Sequence, residues 1–597
     1  MSDSKWVDEL YANNLLSKTS NAVQKLAKRY NLHSNKVQQS KEKLKVALLC
    51  GFTGDFLADL LPLMFFRHGF SIDIYRGGYG EIFSELLISE SKLHAFKPDL
   101  LIILPTHRDL VFSSSSSLGC THDEYMNALQ EELMIWQDVW GSVSIPIVQL
   151  SFDPPPSRPL GELDGYTAGG LLNYIRQINR LLVDSAPAHV GFIDAEYIAY
   201  RVGLEKWHDA HLYQMSKQPF SFDVLPILSH TIAARSQGMM SRGKKVLVLD
   251  LDNTLWGGVI GDDGIEGITL GVETAEGEAF TAFQQYIKGL TNRGVILAVC
   301  SKNDIDIAMQ VFHNHSGMVL NERDIAHFEV NFEDKATNIR RIAKALNVGL
   351  DSLVFVDDNP VERAWVQDRL KDVLVIDLPN DPADYIRALD ELNVFCVQRI
   401  TNEDLERSKS YQARSEIIKL EKDDNAMSVF LQNLKSEIII EQLSESTLDR
   451  VVQLLGKTNQ FNLTQKRYSA EELKGKAVDV VIVRLRDRTQ DYGIVSVVIT
   501  KHNKDYLEID NWVMSCRVFS RRLEYAVQEI LIEKSKKIGC QFISLKYKET
   551  DRNGLLIKII NDLGYVDLDS SDKYKLDIEN GYNFAEHYMK ITKMELL

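Results

Sequence analysis

The stretch KKVLVLDLDNTLWGGVIGDDG, residues 244–264, begins as a run of Val and Leu and places two carboxylates, Asp250 and Asp252, at its far end. Its first half has the composition of a buried strand. Unpaired carboxylates at the end of such a strand are costly unless a cation or a reaction uses them. The alternative is a polar turn in which Asp252 or Asn253 caps the next helix. Three downstream segments favour the reactive interpretation.

These segments carry the other groups that phosphoryl transfer requires. Ser301 directly follows the apolar run VILAVC, and Lys335 lies further along the chain. Asp357 and Asp358 directly follow the run LVFV. Alone, Ser301 fits a helix cap and Lys335 fits a solvated lysine. Because the carboxyl ends of parallel strands meet at one edge of an open sheet, where ligands bind, the ordered set predicts a single site at that edge.

The residue types suggest a role for each group. Asp250 is predicted to attack phosphorus and to carry the phosphoryl group as an aspartyl-phosphate. Asp252 is placed to protonate the leaving oxygen and then to deprotonate the attacking water. Ser301 and Lys335 are expected to hold the transferring phosphoryl oxygens, with Lys335 offsetting the negative charge.

The oxygen-rich site also predicts Mg²⁺, a hard cation that prefers oxygen ligands. Its expected ligands are oxygens of four acidic residues: the side chains of Asp250 and Asp357, the backbone carbonyl of Asp252, and a water held by Asp358. Two polar neighbours in the same segments are expected to contact the substrate, namely Thr254 and Asn303.

The chain, with 597 residues, is too long for one hydrophobic core. Four short apolar runs alternate with helical stretches before residue 240, which predicts a parallel α/β sheet. We expect an α/β domain at 1–240, a second α/β domain around the site at 241–395, and an α+β domain at 396–597. The motifs of the middle domain are too close together for a large cap domain.

Composition argues against several classes of protein. The net charge is 68 − 84 = −16, which leaves no basic surplus for general nucleic-acid binding. The six cysteines show no CxxC pair or zinc-ligand spacing, as is typical of reduced thiols in a cytosol. No segment resembles a signal peptide, and no run approaches 18 apolar residues. We therefore expect a cytoplasmic protein that binds neither nucleic acid nor membranes.

The motif set resembles that of the haloacid dehalogenase (HAD) superfamily, and the resemblance implies a Rossmann-like parallel sheet. Four longer segments resemble FkbH-like proteins more specifically: LDLDNTLWGGVIGDDG, GEAFTAFQQYIKGLTNRGVILAVCSKND, NFEDKATNIRRIAKALNVGLDSLVFVDDNPVERAWV and KTNQFNLTQKRYS. The resemblance implies an enzyme that takes a three-carbon unit from 1,3-bisphosphoglycerate, removes phosphate, and passes the glyceryl group to the phosphopantetheine thiol of an acyl carrier protein. The spacing itself predicts only phosphoryl chemistry, so a phosphatase acting on another small ester and an inactive scaffold remain the alternatives.

A glyceryl group carried on the enzyme requires a cysteine. Cys300 is adjacent to Ser301, but neighbours on a strand point to opposite faces, and a buried structural thiol is the alternative. Cys516 lies beside Arg517 and Arg521, which favour a thiolate. Both cysteines remain candidates for the acyl carrier.

The first domain resembles a flavodoxin- or SGNH-hydrolase-like fold in outline. Its segment LLCGFTGDFLADLL lacks the serine expected after the first strand, and KWHDAHLY has His208 where an acid is expected before His211. We therefore expect a non-catalytic scaffold or lid. The two histidines are expected to be structural, and the alternative is that they line a site.

The last domain resembles the acetyltransferase-like (GNAT) fold. Such folds hold the pyrophosphate of coenzyme A with an RxxGxG loop, but the stretch from Arg517 to Arg522 lacks both glycines. Arg517, Arg521 and Arg522 are expected either to bind phosphopantetheine or an acidic carrier protein, or to form a solvated basic face.

Overall fold

A computed structural model of the chain describes residues 6, 10, 15–37, 42–88, 90–112, 120–240, 242–397, 424–458, 460–475, 478–488, 491–515, 518–519, 521–550, 553–568, 572–579 and 581–592. The chain divides into two compact units, unit 1 with Met1–Gly243 and Leu392–Gln398, and unit 2 with Lys244–Glu391 and Arg399–Leu597. Within the described ranges, no helix is both long and apolar enough to span a bilayer.

Unit 1 contains a five-stranded parallel sheet in the order β2-β1-β3-β4-β5. Its strands are β1 Glu42–Cys50, β2 Phe70–Arg76, β3 Leu100–Leu104, β4 Ile147–Leu150 and β5 Val190–Ile193. The helices are α1 Ser20–Val37, α2 Asp55–Arg67, α3 Ile82–Leu87, α4 Lys92–Phe96, α5 His122–Gly141, α6 Leu171–Ser185, α7 Ala195–Val202, α8 Leu204–Trp207, α9 Ala210–Ser216 and α10 Leu225–Met239. This strand order is the flavodoxin-like one, which confirms the predicted fold class.

The core of unit 1 lies on both faces of the sheet. All five residues of β3 are buried, as expected for a parallel strand covered by helices on both sides. The segment Leu392–Gln398 also belongs to this unit, and its Leu392 carbonyl lies 3.0 Å from Nε2 of His230 in α10. A Cβ atom on Gly238 would come within 2.9 Å of Cys396, so the absence of a side chain permits this close approach.

Unit 2 begins with a second parallel sheet, in the order β10-β9-β6-β7-β8. Its strands are β6 Val246–Leu249, β7 Ile296–Ser301, β8 Ile325–Val330, β9 Leu353–Val356 and β10 Leu374–Val375. The helices are α11 Ile260–Gly267, α12 Ala275–Thr291, α13 Ile305–Asn314, α14 Lys335–Leu346, α15 Pro360–Arg369 and α16 Tyr385–Asp390. Only α11 and α12 lie between β6 and β7, and only α13 between β7 and β8, so the prediction that there is no large cap domain is confirmed.

The remainder of unit 2 contains an eight-stranded mixed sheet, in the order β16-β17-β15-β14-β13-β12-β11-β18. Its strands are β11 Glu437–Glu441, β12 Asp479–Arg486, β13 Asp491–His502, β14 Tyr506–Met514, β15 Phe542–Lys546, β16 Val566–Asp567, β17 Lys573–Asp577 and β18 Lys590–Thr592. The helices are α17 Asp424–Leu434, α18 Glu445–Lys457, α19 Ala470–Lys474, α20 Leu523–Lys537 and α21 Leu555–Asp562. Antiparallel pairs dominate, and β14 and β15 are parallel, so the α+β prediction is confirmed.

Arg521 is part of the core of this sheet domain. Its side chain is 1% exposed and lies 2.5 Å from a carboxylate oxygen of Asp487. The guanidinium also donates to the hydroxyl of Tyr492 and lies 4.5 Å from the centre of that ring. Arg521 is therefore not part of a solvated basic face, so that alternative is wrong for this residue, and its binding to phosphopantetheine or a carrier protein stays a prediction.

We predict that Arg521→Ala destabilises the sheet domain by about 3–5 kcal/mol, because it leaves the carboxylate of Asp487 buried without its cation. Differential scanning calorimetry measures the effect. Lys537→Ala, which removes an exposed lysine from the end of α20, is the matched control. Equal transition temperatures for the two variants would contradict the structural role of Arg521.

Candidate functional site

The second parallel sheet brings the predicted phosphoryl-transfer residues to one edge. Asp250 follows β6, and its backbone N–H donates to the carbonyl of Val356, the last residue of β9. Asp357 therefore lies beside Asp250, each directly beyond a buried strand. Lys335 approaches the same place from the first position of α14.

Lys335 lies between two carboxylates. Its Nζ is 2.8 Å from Oδ2 of Asp250 and 2.5 Å from Oδ2 of Asp357. All three side chains are buried. Burial opposes the charge of Lys335, but the two carboxylates outweigh it and raise the pKa of this ammonium group. The group is therefore a cation at neutral pH.

The carboxyl of Asp357 lies in a strongly anionic position. Burial, followed by the charge of Asp250, raises its pKa to about 7, although Lys335 opposes the shift. Burial and Asp250 also raise the pKa of Asp358. Three carboxylates and one ammonium group leave excess negative charge at this edge of the sheet.

The acidic group fits a divalent cation. Asp250, Asp357 and Asp358 each offer an oxygen, and these oxygens lie within 4.8 Å of one another. Oδ1 of Asp250 is buried and has no hydrogen-bond partner among the described residues, although burying an unpaired carboxylate oxygen is costly. An oxygen-only donor set with a free oxygen and excess negative charge suits Mg²⁺.

Asp252 has a different environment from Asp250. Its Oδ1 accepts hydrogen bonds from Nε1–H of Trp256 at 2.9 Å and from the backbone N–H of Ile260 at 3.1 Å. Its Oδ2 accepts from the side-chain amide of Asn303 at 2.9 Å. Burial raises the pKa of Asp252. The charge of Asp250 adds to this shift, and the three hydrogen bonds oppose it. The carboxyl is thus held in one orientation without a direct cation.

The two predicted substrate contacts have partners within the protein. Asn303 donates to Asp252, and Thr254 Oγ1 accepts the backbone N–H of Asp358 at 3.1 Å. Their direct contact with substrate stays a prediction. Ser301 is 2% exposed, and its hydroxyl has no partner in the part of the chain that the structure describes, so it is free to meet a phosphoryl oxygen.

Two supporting residues were missed from the sequence. Arg363 donates from Nη1 to the backbone carbonyls of Asp357 at 2.8 Å and Asp358 at 2.6 Å, which fixes the turn after β9. Trp256 orients Asp252. The only available signal for Arg363 was its position in the helix that follows the acidic pair, and such a position does not reveal which way a side chain points.

Cys300 is poorly suited to carry an acyl group. It is fully buried in a cluster with Ile296 and Ala298, which share its face of β7. Its thiol lies 3.8 Å from the backbone carbonyl of Lys335, and burial raises its pKa. This placement in the core is consistent with the expectation that Cys300 points to the face of the strand opposite to that of Ser301. Of the other candidates, Cys516 and Arg517 lie outside the described residues.

The comparisons with known proteins agree with this architecture. The family model described as "FkbH, N-terminal domain" matches residues 45–234. The N-terminal part of the protein BF1531 from Bacteroides fragilis, described as containing a phosphatase domain complexed with Mg, is 31% identical, with a TM-score of 0.58. The match covers 64% of this chain and 100% of that one.

Weaker similarities involve acetyltransferases. The ribosomal-protein-S18-alanine N-acetyltransferase from Escherichia coli is 16% identical, with 24% of this chain and 99% of that one covered and a TM-score of 0.19. The GNAT domain of S. lividans PAT is 15% identical, with 23% and 89% covered and a TM-score of 0.19. A search of curated proteins gives no significant match.

On the similarity to BF1531 and the matching family model, the chain belongs to the FkbH-like proteins of the HAD superfamily.

Proposed function

We propose that the protein is a Mg²⁺-dependent HAD-type phosphatase that also transfers a glyceryl group. Its substrate is 1,3-bisphosphoglycerate, and the acceptor is the phosphopantetheine thiol of an acyl carrier protein. The observation that carries the phosphatase part is the free, buried Oδ1 of Asp250 beside Lys335 and the acidic pair Asp357–Asp358. The phosphatase domain and bound Mg of the B. fragilis relative support it.

The residues of the site have complementary roles in this reaction. Asp250 attacks the phosphorus of a phosphate monoester and forms an aspartyl-phosphate. Asp252 gives a proton to the leaving oxygen and later takes one from the attacking water. Lys335 and the hydroxyl of Ser301 hold phosphoryl oxygens as charge develops on them.

Oxygens of Asp250, Asp357 and Asp358 would hold Mg²⁺. When bound, the ion supplies positive charge that stabilises the transferring phosphoryl group. Thr254 and Arg363 support this set by fixing the backbone of the acidic pair. The side chains that would bind the ion are therefore different from that of Asp252, which moves protons, whereas Asp250 both binds the ion and attacks phosphorus.

The glyceryl part of the proposal rests on the family resemblance and on the chemistry of the substrate. Attack at the phosphorus of the acyl phosphate would release an unactivated carboxylate. Attack of a thiol at the acyl carbon instead conserves the activation of the acyl group in a thioester. The 3-phosphate is then an ordinary monoester for Asp250. Without a large cap domain, the site can admit a substrate attached to a carrier. Hydrolysis of another small phosphate ester is the alternative.

We predict that Asp250→Asn abolishes phosphate release, with a loss of at least about 10³-fold, because an amide cannot act as the nucleophile. A phosphate-release assay with a monoester such as p-nitrophenyl phosphate measures it. The exposed Asp368→Asn, in α15, is the control and should retain activity. Turnover of Asp250→Asn at the wild-type rate would exclude the nucleophilic role.

We predict that Lys335→Met lowers the Tm of the metal-free protein, because two buried carboxylates then face each other without a cation. Breaking such a buried pair costs about 3–5 kcal/mol. Added Mg²⁺ should recover part of the loss, since it supplies positive charge at the same oxygens. Thermal unfolding with and without Mg²⁺ measures this, with the exposed Lys344→Met of the same helix as the control. A loss in Tm that Mg²⁺ leaves unchanged would argue against a shared cation site.

We predict that the protein, incubated with 1,3-bisphosphoglycerate and a carrier protein bearing its phosphopantetheine arm, adds one glyceryl group to the carrier. Intact-protein mass spectrometry detects the added mass. Carrier protein without the arm is the control, because it lacks the thiol. Release of free phosphate without any acylated carrier would favour the simple phosphatase.

A further inference from the structure

A second polar cluster lies in unit 1, at the carboxyl edge of its parallel sheet. His107 lies shortly after β3, and Asp153 shortly after β4. Asp153 is fully buried, and the side chains of His107 and His208 are each 8% exposed. Ligands bind at this edge of open α/β sheets, so the cluster occupies the position of a site in this fold.

Asp153 fixes the imidazole of His107. The carboxylate accepts hydrogen bonds from the backbone N–H of His107 at 2.8 Å, from its ring Nδ1 at 2.9 Å, and from Nε1–H of Trp207 at 2.9 Å. Burial opposes its charge, but the groups around it, led by the hydrogen bond from His107, lower the pKa of Asp153 to about 2. An ionised carboxylate only accepts, so Nδ1 carries the proton and Nε2 of the neutral ring has a lone pair.

Nε2 of His107 is free to act on a ligand. It has no hydrogen-bond partner in the described part of the chain, and it is not sealed from solvent. The hydroxyl of Thr106 donates to Asp109, and that of Ser151 accepts the backbone N–H of Ala195. No Ser, Thr or Cys of the described residues hydrogen-bonds to this ring, which leaves Nε2 available to a group of a bound ligand.

His208 adds a second oriented imidazole. Its Nε2 donates to the carbonyl of Pro154 at 2.9 Å, and its Nδ1 is buried and unpartnered among the described residues. The ring is perpendicular to that of His107, with 5.5 Å between the ring centres. A buried nitrogen lone pair without a donor is costly, which points to a ligand group that this nitrogen meets.

A cationic side chain, that of Arg108, lies near the cluster. Arg108 directly follows His107 and is exposed, and its charge acts on His208, where it lowers the pKa. Its guanidinium is 4.2 Å from the centre of the Tyr213 ring. An arginine side chain in such a position suits a phosphorylated ligand.

We propose that this cluster is the acyl-transfer site, in which His107, held by Asp153, is the general base for the acceptor thiol. The inference rests on the proposed glyceryl transfer. Nε2 of His107 takes the proton of the thiol, and the sulfur attacks the acyl carbon of 1,3-bisphosphoglycerate. The C–S bond forms and the C–O bond to the 1-phosphate breaks. The imidazolium then returns the proton to the leaving oxygen, which gives HPO₄²⁻ and a thioester.

This assignment changes the role expected for the first domain. The sequence prediction was a non-catalytic scaffold or lid, because the serine and the acid of the hydrolase pattern are missing, with histidines that are structural or, as the alternative, line a site. In the assigned reaction the nucleophile is the incoming thiol, so neither a serine nor an enzyme cysteine is required. His208 is a positioning residue for the substrate, and Asp250 then removes the remaining phosphate.

The test uses the full chain and measures two reactions of the same preparation. Thioester formation is followed by mass spectrometry with N-acetylcysteamine as the acceptor and 1,3-bisphosphoglycerate generated in situ. Hydrolysis of p-nitrophenyl phosphate reports the HAD site. His107→Ala should lose about 10²-fold or more in thioester formation, the range of general-base catalysis, and retain monoester hydrolysis. Added imidazole should restore part of the lost transfer, and Asp153→Asn should show the same selective loss.

The exposed His122→Ala, in α5 of the same unit, is the matched control. His107→Gln is a second variant, which keeps a polar side chain beside Asp153 if the alanine variant does not fold. If both His107 variants form the thioester at the wild-type rate, the assignment of His107 is overturned, and the proposed glyceryl transfer is not affected. Phosphate release by the wild type without any thioester overturns the glyceryl transfer as well. A transition metal bound stoichiometrically by the wild type and lost from His107→Ala also overturns the base, because the ring nitrogen would then be a ligand.

Discussion

The ammonium group of Lys335, between the carboxylates of Asp250 and Asp357, is the interaction on which the phosphoryl-transfer site depends. Two buried carboxylates at adjacent strand ends repel each other, and water cannot screen that repulsion in the interior. One lysine offsets part of the charge and also ties α14 to β6 and β9. The remaining negative charge, with one carboxylate oxygen unpaired among the described residues, suits a divalent cation.

Two aspartates of one short motif are given different chemistry by their surroundings. Asp250 has a cation beside one oxygen and, among the described residues, no hydrogen-bond partner on the other, so that oxygen can bind a metal or attack phosphorus. Asp252 has neutral donors on both oxygens and no cation in direct contact, and burial favours its protonated form. Different environments of paired carboxylates are how one site contains both a nucleophile and an acid.

The sequence predicted the parts of this arrangement that follow from strand order. Apolar runs that end in Asp250, Ser301 and Asp357 lie at one edge because parallel strands leave little freedom there. The pairing of His107 with Asp153 could not be predicted in the same way. The two residues follow different strands, and their contact depends on which way each loop turns after the sheet. Burial of Arg521 was missed because a basic run looks solvated until its partners are known.

The proposed acyl transfer to a thiol and the removal of phosphate would require opposite electrostatic surroundings, which favours separate sites for the two reactions. A thiolate at Cys300 would lie in the core beside the carboxylates of Asp250 and Asp357, and burial together with these charges keeps its pKa high despite Lys335. The edge of the first sheet instead has two imidazoles and the guanidinium of Arg108 near the ionised carboxylate of Asp153. There a protonated His107 would stabilise a developing thiolate, whereas the carboxylates of the phosphoryl site would oppose one. We therefore assign the proposed acyl transfer to His107 and the proposed removal of phosphate to Asp250.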